Sequence, residues 1–193
     1  MSNERKKQTQ VLVLGAILTA LVVILQFMGS FIRFGPFAIS LVLIPIVIGA
    51  ATCGVKIGTW LGFIFGVVVL ISGDASAFLA VNVFGTIVTV LLKGAACGLA
   101  AGLIYKLLEK YNRYVAVIAA AVVCPIVNTG VFLLGCVIFF MDTVAEWGAA
   151  LGFGGTLEYM FLGLVGGNFL FELASNIILS PVIVRVLNIK NKK

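Results

Sequence analysis

The 193-residue sequence contains no histidine, and charged side chains make up only 10% of it. Without an imidazole, histidine-based catalysis, a Ser/His intramembrane protease included, and histidine-ligated metal centres are excluded. No G-x-x-x-x-G-K-[ST] run is present to cradle phosphates, so any ATP-driven step must be made by another polypeptide. The four cysteines, Cys53, Cys97, Cys124 and Cys136, follow no C-x-x-C spacing and read as small apolar residues within or at the ends of hydrophobic runs. A basic stripe interleaved with aromatics is also missing, which removes nucleic acid as a partner.

What fills the chain is apolar. At 62% hydrophobic residues and a mean hydropathy of +1.24, it carries more apolar surface than a soluble domain of this size can bury. It is therefore expected to be an integral membrane protein. Uncharged runs long enough to cross a hydrocarbon core of about 30 Å lie near 10–29, 37–53, 56–72, 79–104, 114–141 and 157–186. They do not alternate polar and apolar, so a transmembrane barrel is excluded. The reading is an all-α bundle of six transmembrane helices, a single domain over residues 1–193, whose first apolar segment is a retained helix rather than a signal peptide.

Basic residues near span ends stay on the cytoplasmic side. In a six-span arrangement Arg5, Lys6, Lys7, Lys56, Lys106, Lys110, Arg113, Arg185, Lys190, Lys192 and Lys193 share one side, and only Arg33 falls opposite. Both termini are therefore expected in the cytoplasm. The net charge of +6 reflects this topology. Asp74, Asp142 and Glu146 belong to the outer loops, and Glu158 to the start of the last span.

Within the fourth span Asn82, Thr86, Thr89 and Lys93 recur at helical spacing and form one polar stripe; Asn168, Glu172 and Asn176 form a second in the last span. Lys93 and Glu172 lie at matching depths and are close enough in level to pair. Intramembrane charges seldom face lipid, so both are expected to face the bundle interior. Asn128 and Thr129 follow Pro125 at mid-depth in the fifth span and make a plausible pocket lining. Glu158 and Tyr159 stand at the outer mouth of the last span, and Trp60 and Trp147 read as interfacial anchors. Gly58, Gly62 and Gly66 in the third span, and Gly94, Gly98 and Gly102 in the fourth, form two ridges over which the backbones are expected to pack closely. The outer loops "GSFIRFGP" (29–36), with Arg33 its only charge, and "SGDASAF" (72–78) are each short enough to close over a ligand.

The chain resembles a family, the membrane-embedded substrate-binding (S) components of energy-coupling factor transporters, which take up vitamins in bacteria and archaea. The resemblance rests on the length with six spans, the basic N-terminal tail, "AILTA" (16–20), which is similar to the family's A-x-x-x-A, and the block "IPIVIGAATCGVKIGTWLGFIFG" (44–66). It implies a binding subunit in the cell membrane with no catalytic residues and no cofactor, docking on a transmembrane coupling protein (T component) driven by two ABC ATPases. Ala16 and Ala20 match the helix 1 motif that meets the coupling protein. The resemblance also implies a pocket formed by the last three helices and the outer loops.

On this reading Lys93 and Glu172 are paired or ligand-directed charges, Asn82, Thr86, Thr89, Asn128, Asn168 and Asn176 supply hydrogen bonds, and Glu158, Tyr159 and Arg33 belong to the outer mouth. Riboflavin- or pantothenate-like ligands fit a pocket with phenylalanine walls. The alternatives are a scaffold protein resembling the cell-shape protein MreD, a small independent transporter, or an enzyme relying on Glu172, Glu158 or Lys93. No duplicated halves support an independent transporter.

Overall fold

The computed structural model describes the backbone of residues 3–31, 33–34, 37–38 and 41–191, and side chains at 4–6, 8–30 and 41–182. The chain begins with α1 (Asn3–Phe31), followed by a hairpin of two-residue strands, β1 (Arg33–Phe34) and β2 (Phe37–Ala38). These pair antiparallel with Arg33 opposite Ala38, and β2 lies against α1 and the last helix. The helices α2 (Leu43–Cys53), α3 (Val55–Ser72), α4 (Ser76–Val81), α5 (Val83–Leu108), α6 (Arg113–Phe139) and α7 (Met141–Ala150) follow. A single turn, α8 (Thr156–Glu158), runs into a π-helical stretch at Tyr159–Leu164, and α9 (Gly166–Asn191) ends the described chain.

Helix boundaries have local causes. Gly54, at φ +92°, separates α2 from α3, and the left-handed Gly73, at φ +87°, stops α3; side chains rarely tolerate either conformation. Asn82 caps α5, its side-chain oxygen accepting from the Gly85 amide at 2.9 Å. Asn112 caps α6 in the same way, accepting from the amides of Tyr114 and Val115.

Among the described residues four helices, α1, α3, α5 and α6, are long and apolar enough to cross a membrane; α8, the π-helical stretch and α9 make a fifth if the 41° bend between them is counted within one span. The crossing expected at 37–53 is different: its helix, α2, has only 11 residues, about 16 Å of rise. The run expected at 79–104 is also divided, because Asn82 ends α4 and begins α5.

α2 occupies the middle of the bundle, packing against α1, α3, α5, α6 and α9, with Leu43, Ile46 and Val47 fully buried. The main core gathers Leu18, Val22, Leu61, Phe65, Cys97, Ala101, Ala116 and Cys124 around it. A second cluster, under α7, holds Cys136, Phe140, Val144, Tyr159 and Met160, with Phe78 and Trp147 packed against it. Trp147 is thus part of an inner cluster, whereas Trp60 is half exposed.

In lipid, apolar burial drives helix association weakly, so close packing of backbones carries much of it. The glycine ridges of α3 and α5 meet as their spacing predicts. Ideal Cβ atoms built on Gly62, Gly66 and Gly98 would strike the backbone carbonyls of Gly94, Val90 and Gly58 respectively, so the two helices run antiparallel in direct backbone contact.

Candidate functional site

The stripes identified on α5 and α9 face the same space. A cavity of about 250 Å³ lies between α1, α3, α5, α6 and α9, bounded by the α3–α4 loop; its lining includes Thr86, Thr89 and Lys93 from α5, Asn128, Thr129 and Phe132 from α6, and Asn168 and Glu172 from α9. An ordered water needs only about 10–15 Å³ by the same measure, so the space suits a small molecule.

The walls are apolar and aromatic. Phe65 and Val69 from α3, Phe78 from α4, Val90 from α5, Phe140, and Leu164 and Val165 at the bend complete the lining. Phe78 holds Phe132 at 5.5 Å, Phe140 at 5.1 Å and Trp147 at 5.3 Å between ring centroids, all edge-on, which fixes that end of the cavity as a box of rings.

Polar groups in this lining are incompletely matched by the protein. The ammonium of Lys93 lies 5.6 Å from the Phe65 ring centroid and 5.1 Å from that of Phe132. Glu172, only 2% exposed, accepts one hydrogen bond at Oε1 from Asn168 Nδ2 at 3.2 Å, and its Oε2 meets no protein donor. Thr89 Oγ1, Asn128 Oδ1 and Asn168 Oδ1 are also buried without a protein partner. Leaving such a group unsatisfied costs about 1–3 kcal/mol, so four on one cavity are a concentrated cost that stability alone does not explain. Thr86, by contrast, is satisfied, its hydroxyl donating to the Asn82 carbonyl at 2.7 Å.

At the loop end, Asp74 fastens α1 to the α3–α4 loop. Its Oδ2 accepts from Gln26 Nε2 at 2.6 Å, from Ser30 Oγ at 2.7 Å and from Ser72 Oγ at 3.3 Å. Gln26 and Asp74 both line the cavity, yet nothing in the local sequence marks Gln26; only the packing of α1 on α3 brings it there.

The remaining sequence candidates stand elsewhere. Asn82 lies one turn beyond the cavity lining, its oxygen engaged in capping α5. Glu158 is exposed and accepts from the Gly154 amide at 3.1 Å. Tyr159 is buried against Gly148 and 5.3 Å from the Phe153 ring. Asn176 is 1% exposed, one turn past Glu172 on α9 and outside the lining, with neither amide atom partnered. Arg33 belongs to β1, but its side chain lies outside the described residues. Ala16 and Ala20 are exposed on α1, away from the cavity, while Gly15 on the same helix packs toward Ile57.

Among the described residues no group of histidine, cysteine or carboxylate side chains is placed to hold a metal ion. Among the described residues, the cavity lining presents one cation, several hydrogen-bond acceptors and a set of aromatic rings. No curated protein matches the chain at a significant level. A family model described as "ECF transporter, substrate-specific component" matches residues 10–187, nearly the whole length. Members of that family are membrane-embedded, substrate-binding transport subunits that are not themselves enzymes. This chain accordingly belongs to the substrate-specific (S) components of energy-coupling factor transporters.

Proposed function

We propose that the cavity between α5, α6 and α9 is the substrate site, and that the protein captures a water-soluble, vitamin-like molecule from outside and delivers it inward with a transmembrane coupling protein and two ABC ATPases. The observation that carries this reading is the set of four buried, unpartnered polar groups on Thr89, Asn128, Asn168 and Glu172, gathered with Lys93 around one space. Thr86 and the aromatic lining shape the site, and the β1–β2 hairpin bearing Arg33 touches α1 and α9 through β2.

The whole chain is proposed to act as one domain with six crossings and both termini in the cytoplasm of a bacterial or archaeal cell. Helix directions support this. α1 and α3 run parallel, with Gly15 facing Ile57 and Gln26 bonded to Asp74; α5 returns antiparallel to α3, which sets the α5–α6 loop with Lys110 and Arg113 at the end where α1 begins. A crossing through the short α2 is tolerated because α2 is enclosed by other helices. The exposed Ala16 and Ala20 present a small, flat face of α1 to the coupling protein.

The test is a thermal-shift and native mass-spectrometry screen of the detergent-purified protein against water-soluble vitamins and their precursors. One tight binder is expected, and at a hundredfold excess over its Kd it stabilises the fold by about 2.7 kcal/mol. A correctly folded protein that binds nothing across the panel overturns the reading.

A further inference from the structure

The two charges in the cavity make no direct contact with each other. Lys93 and Glu172 both line it, yet among the described residues no ion pair within 4.0 Å joins them. The Lys93 ammonium instead rests between the rings of Phe65 and Phe132, and it donates no hydrogen bond to another described residue. A ring face attracts a cation less strongly than a charge-assisted hydrogen bond does, so this arrangement leaves the ammonium ready for an anion.

The lining from α6 and α9 has the complementary character. Its unpartnered atoms, Asn128 Oδ1 on α6 and Asn168 Oδ1 and Glu172 Oε2 on α9, are all oxygens that accept hydrogen bonds. The remaining carboxylate on the lining, Asp74, is engaged by Gln26, Ser30 and Ser72. The cavity therefore offers a cation from α5 and a set of acceptors from α6 and α9.

Resting on the reading of this cavity as the substrate site, we infer that the ligand is bifunctional: an anionic group of carboxylate type is received by Lys93 between Phe65 and Phe132, and a face rich in N–H or O–H donors is received by Asn128, Asn168 and Glu172. Purely cationic ligands lack the group that Lys93 demands. Neutral ligands leave the ammonium on the rings.

The experiment uses the full chain in detergent, with native mass spectrometry and calorimetry on matched probes: biotin against biotin methyl ester, and pantothenate against pantothenol, with thiamine as a cation and riboflavin as a neutral molecule. One of the two acids is expected to bind, and its capped partner to bind at least about tenfold more weakly, the scale of a lost charge-assisted contact. In Lys93→Met the acid falls to the level of its capped partner, whereas Glu172→Gln weakens both members of the pair alike. A capped probe that binds as well as its acid, or binding by thiamine or riboflavin alone, overturns the inference and leaves the substrate-site reading standing. A folded chain that binds none of the probes overturns both. If Lys93→Met does not fold, the comparison of acid and capped probe on the unaltered chain decides the matter.

Discussion

Lys93 Nζ lies 5.1 Å from the ring centroid of Phe132 and is held by a second ring, Phe65, rather than by the carboxylate of Glu172. That relationship sets an expectation for folding. Removing one partner of a buried ion pair costs about 3–5 kcal/mol, because the other charge is stranded. Here methionine reproduces the side chain as far as Cε, one atom short of the ammonium, and its soft thioether suits an aromatic surrounding, so Lys93→Met should lose less than about 2 kcal/mol. Thermal unfolding in detergent measures this, and a collapse of the fold would show that the two charges depend on each other.

The glycine seam gives a second expectation, with an internal control. A Cβ at Gly62 would strike the Gly94 carbonyl, and backbone has nowhere to move without parting the helices. Gly62→Ala should destabilise by about 1–3 kcal/mol, as overpacking does. Gly130, on α6, has open space where its Cβ would be. Gly130→Ala should be neutral or stabilise by up to about 1 kcal/mol through helix propensity. Melting temperatures of the two variants, compared side by side, check both signs.

Asn82 separates local structure from binding. Its oxygen caps α5, so Asn82→Ala should cost about 1 kcal/mol of stability and Asn82→Asp very little. Affinity for the ligand identified in the vitamin screen should change little in both. A large loss of affinity in Asn82→Asp, with stability intact, would place this side chain in the site instead.

Asp74 joins two segments that are distant in the chain. Asp74→Ala deletes its hydrogen bonds to Gln26 and Ser30, and each bond to a charged group is worth about 1.5–3 kcal/mol. Amide hydrogen exchange should accelerate locally, at 73–76 and at the end of α1, while the α3–α5 contact keeps its protection. Uniform acceleration throughout the bundle would show instead that the aspartate supports the whole fold.

Much of this architecture is written locally and was readable. Long uncharged runs gave α1, α3, α5 and α6, and the glycine spacing gave the contact of α3 with α5. The stripes on α5 and α9 converge on one cavity because helical periodicity fixes which residues share a face before any tertiary contact forms. At 37–53 hydropathy does not show where the helix begins, since an apolar run has the same composition whether or not its first residues are helical; the described helix α2 starts at Leu43. Asn82 fits the spacing of the α5 stripe, but capping chemistry claimed it, and an asparagine serves both roles equally well in sequence. Gln26, Asp74 and the phenylalanines of the lining come from separate segments of the chain, so only their packing shows that they share one space. The bend at Val165 contains no proline; a π-helical stretch makes it, and no residue pattern announces one.

The two sides of the cavity differ mechanically. α3 and α5 touch backbone to backbone, so they have almost no side chains between them to rearrange and behave as a stiff plate carrying Lys93 and the Phe65 ring. The facing wall hangs on a helix interrupted at Val165, whose far arm carries Asn168 and Glu172. A chamber built this way widens by swinging the jointed arm and not by splitting the plate. Asn168 and Glu172 would then move first when the chamber opens, while Lys93 keeps its place on the plate.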